Sequence, residues 1–183
     1  LKRLDDDGGH SQARAPLQRA VQRLTAALEE VRSISHRLRP VMLDTLGLPA
    51  ALRQLGDEMW SLSDTRFALE VEGDAPALPD AVNTVLFRVT QEALSNIQRH
   101  AQASHVLLRL AFAAGGVRLS VQDNGAGFQT DEITRDPRRG IGLRNMRERM
   151  ASIGGALQLQ SQPGLTVVVA ELPAAAVQRL AAA

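Results

Sequence analysis

The chain has 183 residues, 44% hydrophobic and 22% charged, and its 21 Lys and Arg against 20 Asp and Glu give a formal net charge of +1. This is the composition of a globular protein with one domain or slightly more. Aromatic residues are 3% of the chain, so the sequence lacks both the basic excess and the aromatic stacking platforms typical of nucleic-acid binders. The absence of cysteine excludes disulfides, thiolate metal sites and a cysteine nucleophile.

Two sequence features bear on cellular location. No apolar run approaches the roughly 20 residues that span a bilayer, and the acidic start of the chain is unlike a signal peptide. We therefore expect a soluble, cytoplasmic segment that contacts neither a membrane nor nucleic acid directly. This expectation concerns the segment, and the full-length protein can still be membrane-anchored.

A long helix is predicted near the N-terminus, after a loop-like stretch at residues 5–16. Apolar residues recur there at spacings of four and three: Leu17, Val21, Leu24, Leu28, Val31 and Leu38. A seam this narrow favours a coiled coil or a helical bundle between chains. We assign residues 1–46 to the remnant of a dimerisation bundle, with its helix at about 16–39. The alternative is an amphipathic helix that packs on its own domain.

The rest of the chain alternates helices with short strands, beyond a boundary at residues 47–49. Helical spacing predicts helices at about 49–62, 80–100 and 143–153, and alternation predicts strands at about 67–71, 106–112, 117–121, 157–159 and 166–172. Glycine turns join the last four strands into two hairpins. This order indicates an α+β domain over residues 47–173, with helices on one face of a mixed sheet. Residues 174–183 are a tail or a short terminal helix.

The helix predicted from Asp80 carries a polar stripe at a spacing of four, formed by Arg88, Glu92, Asn96 and His100. A carboxylate and a carboxamide one turn apart offer the oxygen ligands that Mg²⁺ accepts. A solvated helix face without any ligand would show the same pattern.

Two glycine pairs follow this helix. In Asp123-Asn124-Gly125-Ala126-Gly127-Phe128, the glycines permit close backbone approach to a ligand, and the aspartate at a strand end can accept a hydrogen bond from an exocyclic amine. In Gly140-Ile141-Gly142-Leu143, free N–H groups at a helix start favour a phosphate. The first motif is equally compatible with a tight turn that binds nothing.

The order and spacing of these signals resemble the Bergerat-type (GHKL) ATP-binding domain of sensor histidine kinases. The resemblance covers about residues 48–173, and residues 34–48 are similar to the second dimerisation helix of the nitrate-sensor and DesK-like subfamily. It implies a two-layer α/β sandwich with a largely antiparallel sheet, and an ATP-dependent protein histidine kinase of a two-component system. It also implies a homodimer and a response regulator with a helix-turn-helix output domain.

The resemblance implies roles for single residues. Asn96 would coordinate Mg²⁺ together with ATP, and Glu92 would polarise the attacking group or order a water of the metal. Asp123 would receive the adenine amino group in a pocket shaped by Gly125 and Gly127.

Further roles concern the phosphates and the loop that would cover them. Residues 129–139 would form a mobile lid, with Gly140, Gly142 and Leu143 at its hinge, and Arg99 or His100 would lie near the phosphates. Thr166 would back the adenine-binding aspartate. The turn before Thr166 is one residue and one glycine shorter than the family's Gly-x-Gly-Thr pattern, which affects the placement of this residue.

The phosphoacceptor is expected upstream of residue 1. The subfamily places its accepting histidine in an ELHD-like context on the first dimerisation helix, and the sequence contains no such segment. His36 stands in a Ser-His-Arg-Leu-Arg-Pro context, where Arg37 replaces the acidic residue of the commoner phosphoacceptor box. We therefore do not expect His36 to accept the phosphoryl group.

Two other functions remain open at this point. One is a different member of the same superfamily, such as an anti-sigma serine kinase or a gyrase-like or chaperone ATPase. The other is a dimerisation module with a vestigial nucleotide site.

Overall fold

The computed structural model describes residues 41–128 and 140–182. The chain divides into two units, residues 1–39 and residues 40–183, and all described residues belong to the second. The predicted helix at 16–39, His36 and the predicted lid at 129–139 lie outside the described residues. The second unit includes residues 40–46, which the sequence analysis placed in the bundle, and the assignment of residues 1–46 to a dimerisation bundle stays a prediction.

Ten elements follow one another in the described residues. They are α1 (Val41–Trp60), β1 (Arg66–Glu72), α2 (Asp80–Asn96), a π-helical turn (Ile97–Ala101), β2 (His105–Ala113), β3 (Gly116–Asp123), α3 (Ile141–Ser152), β4 (Ala156–Gln162), β5 (Leu165–Leu172) and α4 (Ala174–Ala181). Every strand predicted from alternation is present. Of the two alternatives for residues 174–183, the structure has the terminal helix.

Three helix boundaries differ from the prediction. Helix α1 begins at Val41, but Gly47, with a φ of 76°, breaks it into two pieces. The second piece, from Leu48, agrees with the helix predicted from about residue 49, and the first piece extends the helix toward the N-terminus. Helix α2 ends at Asn96, and the last predicted turn is π-helical. Helix α3 starts two residues early, directly after Gly140, which takes a left-handed conformation with φ 82°.

The five strands form one mixed sheet in the order β1-β2-β3-β5-β4. Strands β1 and β2 are parallel because α2 forms the crossover between them, and every other neighbouring pair is antiparallel. Residues alternate between a buried and a more exposed face along β2, β3 and β5. The buried face carries the core, and the opposite face carries ion pairs such as Glu70 with Arg109.

The core lies between the buried face of the sheet and the helices. Helix α2 contributes the largest buried set of any described helix: Val82, Leu86, Phe87, Arg88, Val89, Thr90, Ala93 and Leu94. It packs against α1, α3 and the sheet, so its axis is fixed from several sides. Trp60 at the end of α1 stacks on Phe67 of β1 with ring centroids 5.5 Å apart, which joins the sheet edge to the helix layer.

No described helix is long and apolar enough to cross a membrane.

Replacing Leu86 by alanine tests the importance of this helix. Leu86 is 0% exposed, so Leu86→Ala should lower the free energy of unfolding by about 2–5 kcal/mol through lost burial and a residual cavity. Urea denaturation followed by circular dichroism measures the change. Leu62 is 100% exposed, and Leu62→Ala should leave the free energy of unfolding within about 0.5 kcal/mol of the wild-type value. Equal effects of the two substitutions would contradict the assignment of α2 to the core.

Candidate functional site

One row of residues interrupts the apolar face of the sheet. Ser161 pairs with Thr166 across β4 and β5, and Thr166 pairs with Asp123 across β5 and β3. The next row along the strands is apolar throughout, consisting of Leu159, Val168, Val121, Leu108 and Leu69. Polar side chains on a core-facing sheet are rare without a function or a partner, so this row marks a candidate site.

Asp123 ends β3 and is 3% exposed. Burial raises the pKa of its carboxyl above the ordinary value of 3.8, while the backbone N–H of Gly125, which donates to Oδ1 at 2.8 Å, acts in the opposite direction. The second carboxylate oxygen, Oδ2, is a further hydrogen-bond acceptor. A buried acceptor of this kind suits a neutral amine donor on a flat ring.

The loop after Asp123 is held close to two other segments. The N–H of Ala126 donates to the carbonyl of Ala101 at 2.8 Å, and the N–H of Gly164 donates to the carbonyl of Gly125 at 2.9 Å. A Cβ on Gly125 would come 2.3 Å from the Ala101 carbonyl oxygen, so no larger residue fits there without a shift of the backbone. Gly127 has a φ of 65°, and a Cβ on it would come 2.3 Å from the Gln162 carbonyl oxygen.

A second group of residues forms where α3 starts against α2. A Cβ on Gly142 would come 2.2 Å from Oε1 of Glu92 and 3.4 Å from Nδ2 of Asn96. The first turn of α3 therefore rests directly on this carboxylate and carboxamide. The free N–H groups at a helix N-terminus, next to two oxygen-bearing side chains, form a polar junction suited to phosphate and a hard cation. Leu143, the next residue, is buried in the core and anchors this turn.

The π-helical turn connects the two groups. It continues α2 directly after Asn96, and its last residue, Ala101, supplies the carbonyl that holds the loop after Asp123. The backbone distance from Asn96 to Ala101 is five residues, so the position of the carboxamide and the position of the glycine loop are fixed by one continuous segment. π-Turns of this kind occur often at functional sites.

The remaining predicted residues are placed differently. Arg99 is exposed and turns back along its own helix, where its guanidinium donates to Oγ of Ser95 at 2.6 Å. His100 is exposed, and among the described residues no hydrogen bond joins it to either group. Arg88, placed by the sequence on a solvated stripe, is 8% exposed, and its guanidinium donates to Oε1 of Gln91 at 2.8 Å. Burial, followed by the nearby charge of Arg149, lowers the pKa of Arg88.

Sequence analysis missed two polar residues. Asn124 accepts hydrogen bonds through Oδ1 from the N–H groups of Ser104 and His105, which ties the loop after Asp123 to the start of β2. Ser161 lies 2.9 Å from Oγ1 of Thr166 and accepts from the N–H of Phe128 at 2.9 Å. Asn124 stands inside a recognised motif, whereas the only available signal for Ser161 is a polar residue at a core-facing position of a strand.

Comparison with known proteins identifies the domain. The family model described as histidine kinase-, DNA gyrase B- and HSP90-like ATPase matches residues 81–176, which is about half of the chain. Sensor histidine kinase MctS of Rhizobium johnstonii is 40% identical over 160 residues, covering 87% of this chain and 35% of the relative. Sensor histidine kinase LiaS of Bacillus subtilis is 36% identical over 147 residues, covering 75% of this chain and 37% of the relative.

Solved structures agree in fold. The histidine kinase domain of the blue-light activated histidine kinase of Erythrobacter litoralis EL346 has a TM-score of 0.60 at 23% identity, covering 74% of this chain and 64% of that one. Histidine kinase AdeS of Acinetobacter baumannii has a TM-score of 0.58 at 15% identity, covering 94% and 86%. The α+β sandwich expected from the sequence is therefore confirmed.

The chain spans just over a third of the length of the two curated relatives described above. Within that span, the matched residues include α2, the loop after Asp123, the start of α3 and the strand that bears Thr166. The chain therefore belongs to the histidine kinase-, DNA gyrase B- and HSP90-like ATPase family, and over most of its length it is similar to part of proteins named sensor histidine kinases.

Proposed function

We propose that this region holds ATP together with Mg²⁺ and delivers the γ-phosphoryl group to a histidine upstream of residue 1. In this proposal the region is cytoplasmic, and the full protein is a dimeric sensor kinase that passes the phosphoryl group to a response regulator with a helix-turn-helix output domain. The contact of Gly142 with Glu92 and Asn96 carries the proposal, because it sets free N–H groups beside a carboxylate and a carboxamide.

The adenine ring belongs at the Asp123 end of the site. The carboxylate accepts the exocyclic amino group, and Thr166 lies directly opposite it in the sheet. Gly125 and Gly127 let the loop after Asp123 pack closely on the backbone of Ala101 and Gln162, and this packing fixes the loop beside the carboxylate. Guanine would present a carbonyl where Asp123 needs a donor, so the pocket should favour adenine.

The phosphates belong at the α3 end. Gly140, Gly142 and Leu143 form the first turn of the helix, whose free N–H groups and positive dipole end attract anions. Arg99 and His100 lie on the π-helical turn, five or fewer residues beyond Asn96, and are exposed. Because both side chains are exposed, they can reorient toward a bound polyphosphate. On this basis we assign Arg99 and His100 to phosphate contact.

The residues present fit Mg²⁺ held together with a nucleotide. Asn96 offers an amide oxygen, and Glu92 offers a carboxylate that can bind the ion through water. Among the described residues, no three His, Asp or Glu side chains cluster into a protein-only cage, so phosphate oxygens would complete the coordination. The bound ion would neutralise charge on the phosphates.

The chain's own contribution to phosphoryl transfer is positioning and electrostatics. The Glu92 carboxylate lies against Gly142, and in this proposal it accepts a hydrogen bond from the attacking imidazole and orients the attacking nitrogen toward the phosphorus. The N–H groups of α3 stabilise negative charge on the phosphate oxygens. Other superfamily functions, such as serine phosphorylation of a partner, are less favoured because the two curated relatives described above are named sensor histidine kinases.

Replacing Asp123 by asparagine tests the base pocket. Loss of the charged acceptor should weaken ATP binding about 10- to 100-fold, measured by isothermal titration calorimetry.

The same substitution should not lower the folding stability at neutral pH. Because the pKa of Asp123 is raised in the folded state, its stabilising contribution is present below the ordinary pKa and is lost as the pH rises through the raised pKa.

At neutral pH the folded protein therefore carries a buried charge at a cost, and Asp123→Asn should leave the melting temperature unchanged or higher. Asp57 lies on an exposed position of α1, and Asp57→Asn should bind ATP as the wild type does. Wild-type affinity in Asp123→Asn would remove the adenine assignment.

Replacing Asn96 by alanine tests the metal end of the site. The substitution removes the amide oxygen that is proposed to bind the ion, so the gain in ATP affinity on adding Mg²⁺ should shrink about tenfold or more relative to wild type. Titrations with and without EDTA measure that gain. Gln158 is exposed on β4, and Gln158→Ala removes a carboxamide away from the site, so it should keep the full gain. An undiminished gain in Asn96→Ala would contradict the assignment.

Incubation of the 183-residue chain with γ-labelled ATP tests the position of the phosphoacceptor. No acid-labile label should accumulate, because the accepting histidine is proposed to lie upstream of residue 1. His36→Ala should behave as the wild type in this assay. An acid-labile label on the wild type that disappears in His36→Ala would make His36 the acceptor.

A further inference from the structure

Ser161 stands at a junction between the base pocket and the glycine loop. It lies on β4, the edge strand of the sheet, and completes the polar row with Thr166 and Asp123. Its hydroxyl is 2.9 Å from Oγ1 of Thr166 and accepts the N–H of Phe128 at 2.9 Å. A single side chain therefore holds both the threonine beside Asp123 and the end of the loop that follows Asp123.

Either hydroxyl can donate in the pair of Ser161 and Thr166, and one of the two directions bears on the ligand. A hydroxyl has one proton to donate and two lone pairs with which to accept. The Phe128 N–H occupies one lone pair of Ser161. When Ser161 gives its proton to Oγ1 of Thr166, the proton of Thr166 is free to point along the row toward Asp123 and the ligand. Thr166 is 8% exposed, so few solvent molecules compete for that proton.

We propose that Ser161 is a positioning residue for base recognition: it orients the Thr166 hydroxyl toward the Asp123 end of the pocket and fixes Phe128, and thereby sharpens the preference for adenine. The proposal rests on the proposed function, because it assumes that the base of ATP binds at Asp123. Ser161 does not touch the base itself and acts through Thr166.

The strand position supports this role over a purely structural one. At an edge strand, a hydrophobic residue in register with Leu157 and Leu159 would extend the apolar face and gain burial. A serine there gives up that burial and makes two hydrogen bonds, both to segments of the candidate site. Ser120 provides a contrast, since it lies on β3 on the opposite face of the same sheet.

Binding of ATP and inosine triphosphate to the 183-residue chain tests the proposal. The two nucleotides differ at the position that Asp123 reads, where hypoxanthine has a carbonyl in place of the amino group. In Ser161→Ala, the ATP affinity should fall about three- to tenfold, while the inosine triphosphate affinity changes less, so the ratio of the two affinities falls at least about threefold. Ser161→Thr keeps a hydroxyl and should restore most of the ratio. Ser120→Ala should leave both affinities unchanged.

The outcomes separate this proposal from the proposed function. If Ser161→Ala keeps the wild-type ratio, or weakens both nucleotides by the same factor, Ser161 has only a structural role and the proposal is wrong. If the wild-type chain itself binds no ATP, the proposed function fails first. Melting temperatures of Ser161→Ala and Ser161→Thr show whether both are folded under the titration conditions.

Discussion

Packing of α2 against the sheet is the contact on which both ends of the site depend. One side of this helix buries Val82, Leu86, Val89 and Leu94, and the stripe that carries Glu92 and Asn96 meets the first turn of α3. The π-helical turn then carries the same chain segment to the loop after Asp123. A shift of α2 would move the carboxylate, the carboxamide and the Ala101 carbonyl together, so the core of the domain and the geometry of the site are not independent.

In the candidate base pocket, the buried carboxyl of Asp123 serves ligand binding but lowers the stability of the fold. The apolar face of the sheet would be better buried with an aliphatic side chain at position 123, and desolvation of the carboxyl raises its pKa. The Gly125 N–H offsets part of this cost by donating to Oδ1. A fixed, largely dehydrated acceptor is also more selective than a solvated one, because a ligand without a matching donor leaves the carboxylate unpaired.

Gly142 illustrates the same tension at the other end. Alanine is the better helix former at most positions, and glycine costs about 1 kcal/mol relative to it. A methyl group at position 142 would displace the Glu92 carboxylate, which is the flexible end of its side chain, so glycine lets this carboxylate lie against the first turn of α3. At the start of α3, the lower helix propensity of glycine is offset by the contact that glycine allows between the first helical turn and the Glu92 carboxylate.

Much of the fold could be predicted from short-range pattern. The alternation of apolar and polar residues predicted the bounds of β2, β3 and β5 closely, because successive residues of a half-buried strand point in turn to its buried and its exposed face. The helix predicted from about residue 49 corresponds to the second piece of α1, and the piece before Gly47 was not predicted, because a break in a helix depends on a backbone angle rather than on hydrophobic spacing. The π-helical turn was missed for a related reason: its residues have a composition typical of a helix, and composition does not reveal the extra residue per turn.

The sequence by itself determined the chemical groups of the candidate site and their order along the chain, from Glu92 and Asn96 through Asp123 to the glycines of α3 and Thr166. It could not decide which of these groups meet, because they lie on separate elements and their distances depend on sheet register and helix packing. Only the tertiary structure set Thr166 opposite Asp123, added Ser161 to the same row and pressed Gly142 against Glu92. The tertiary structure also buried Arg88. Residues at a spacing of four share a helix face, but they are not equally buried when neighbouring elements pack against one end of that face.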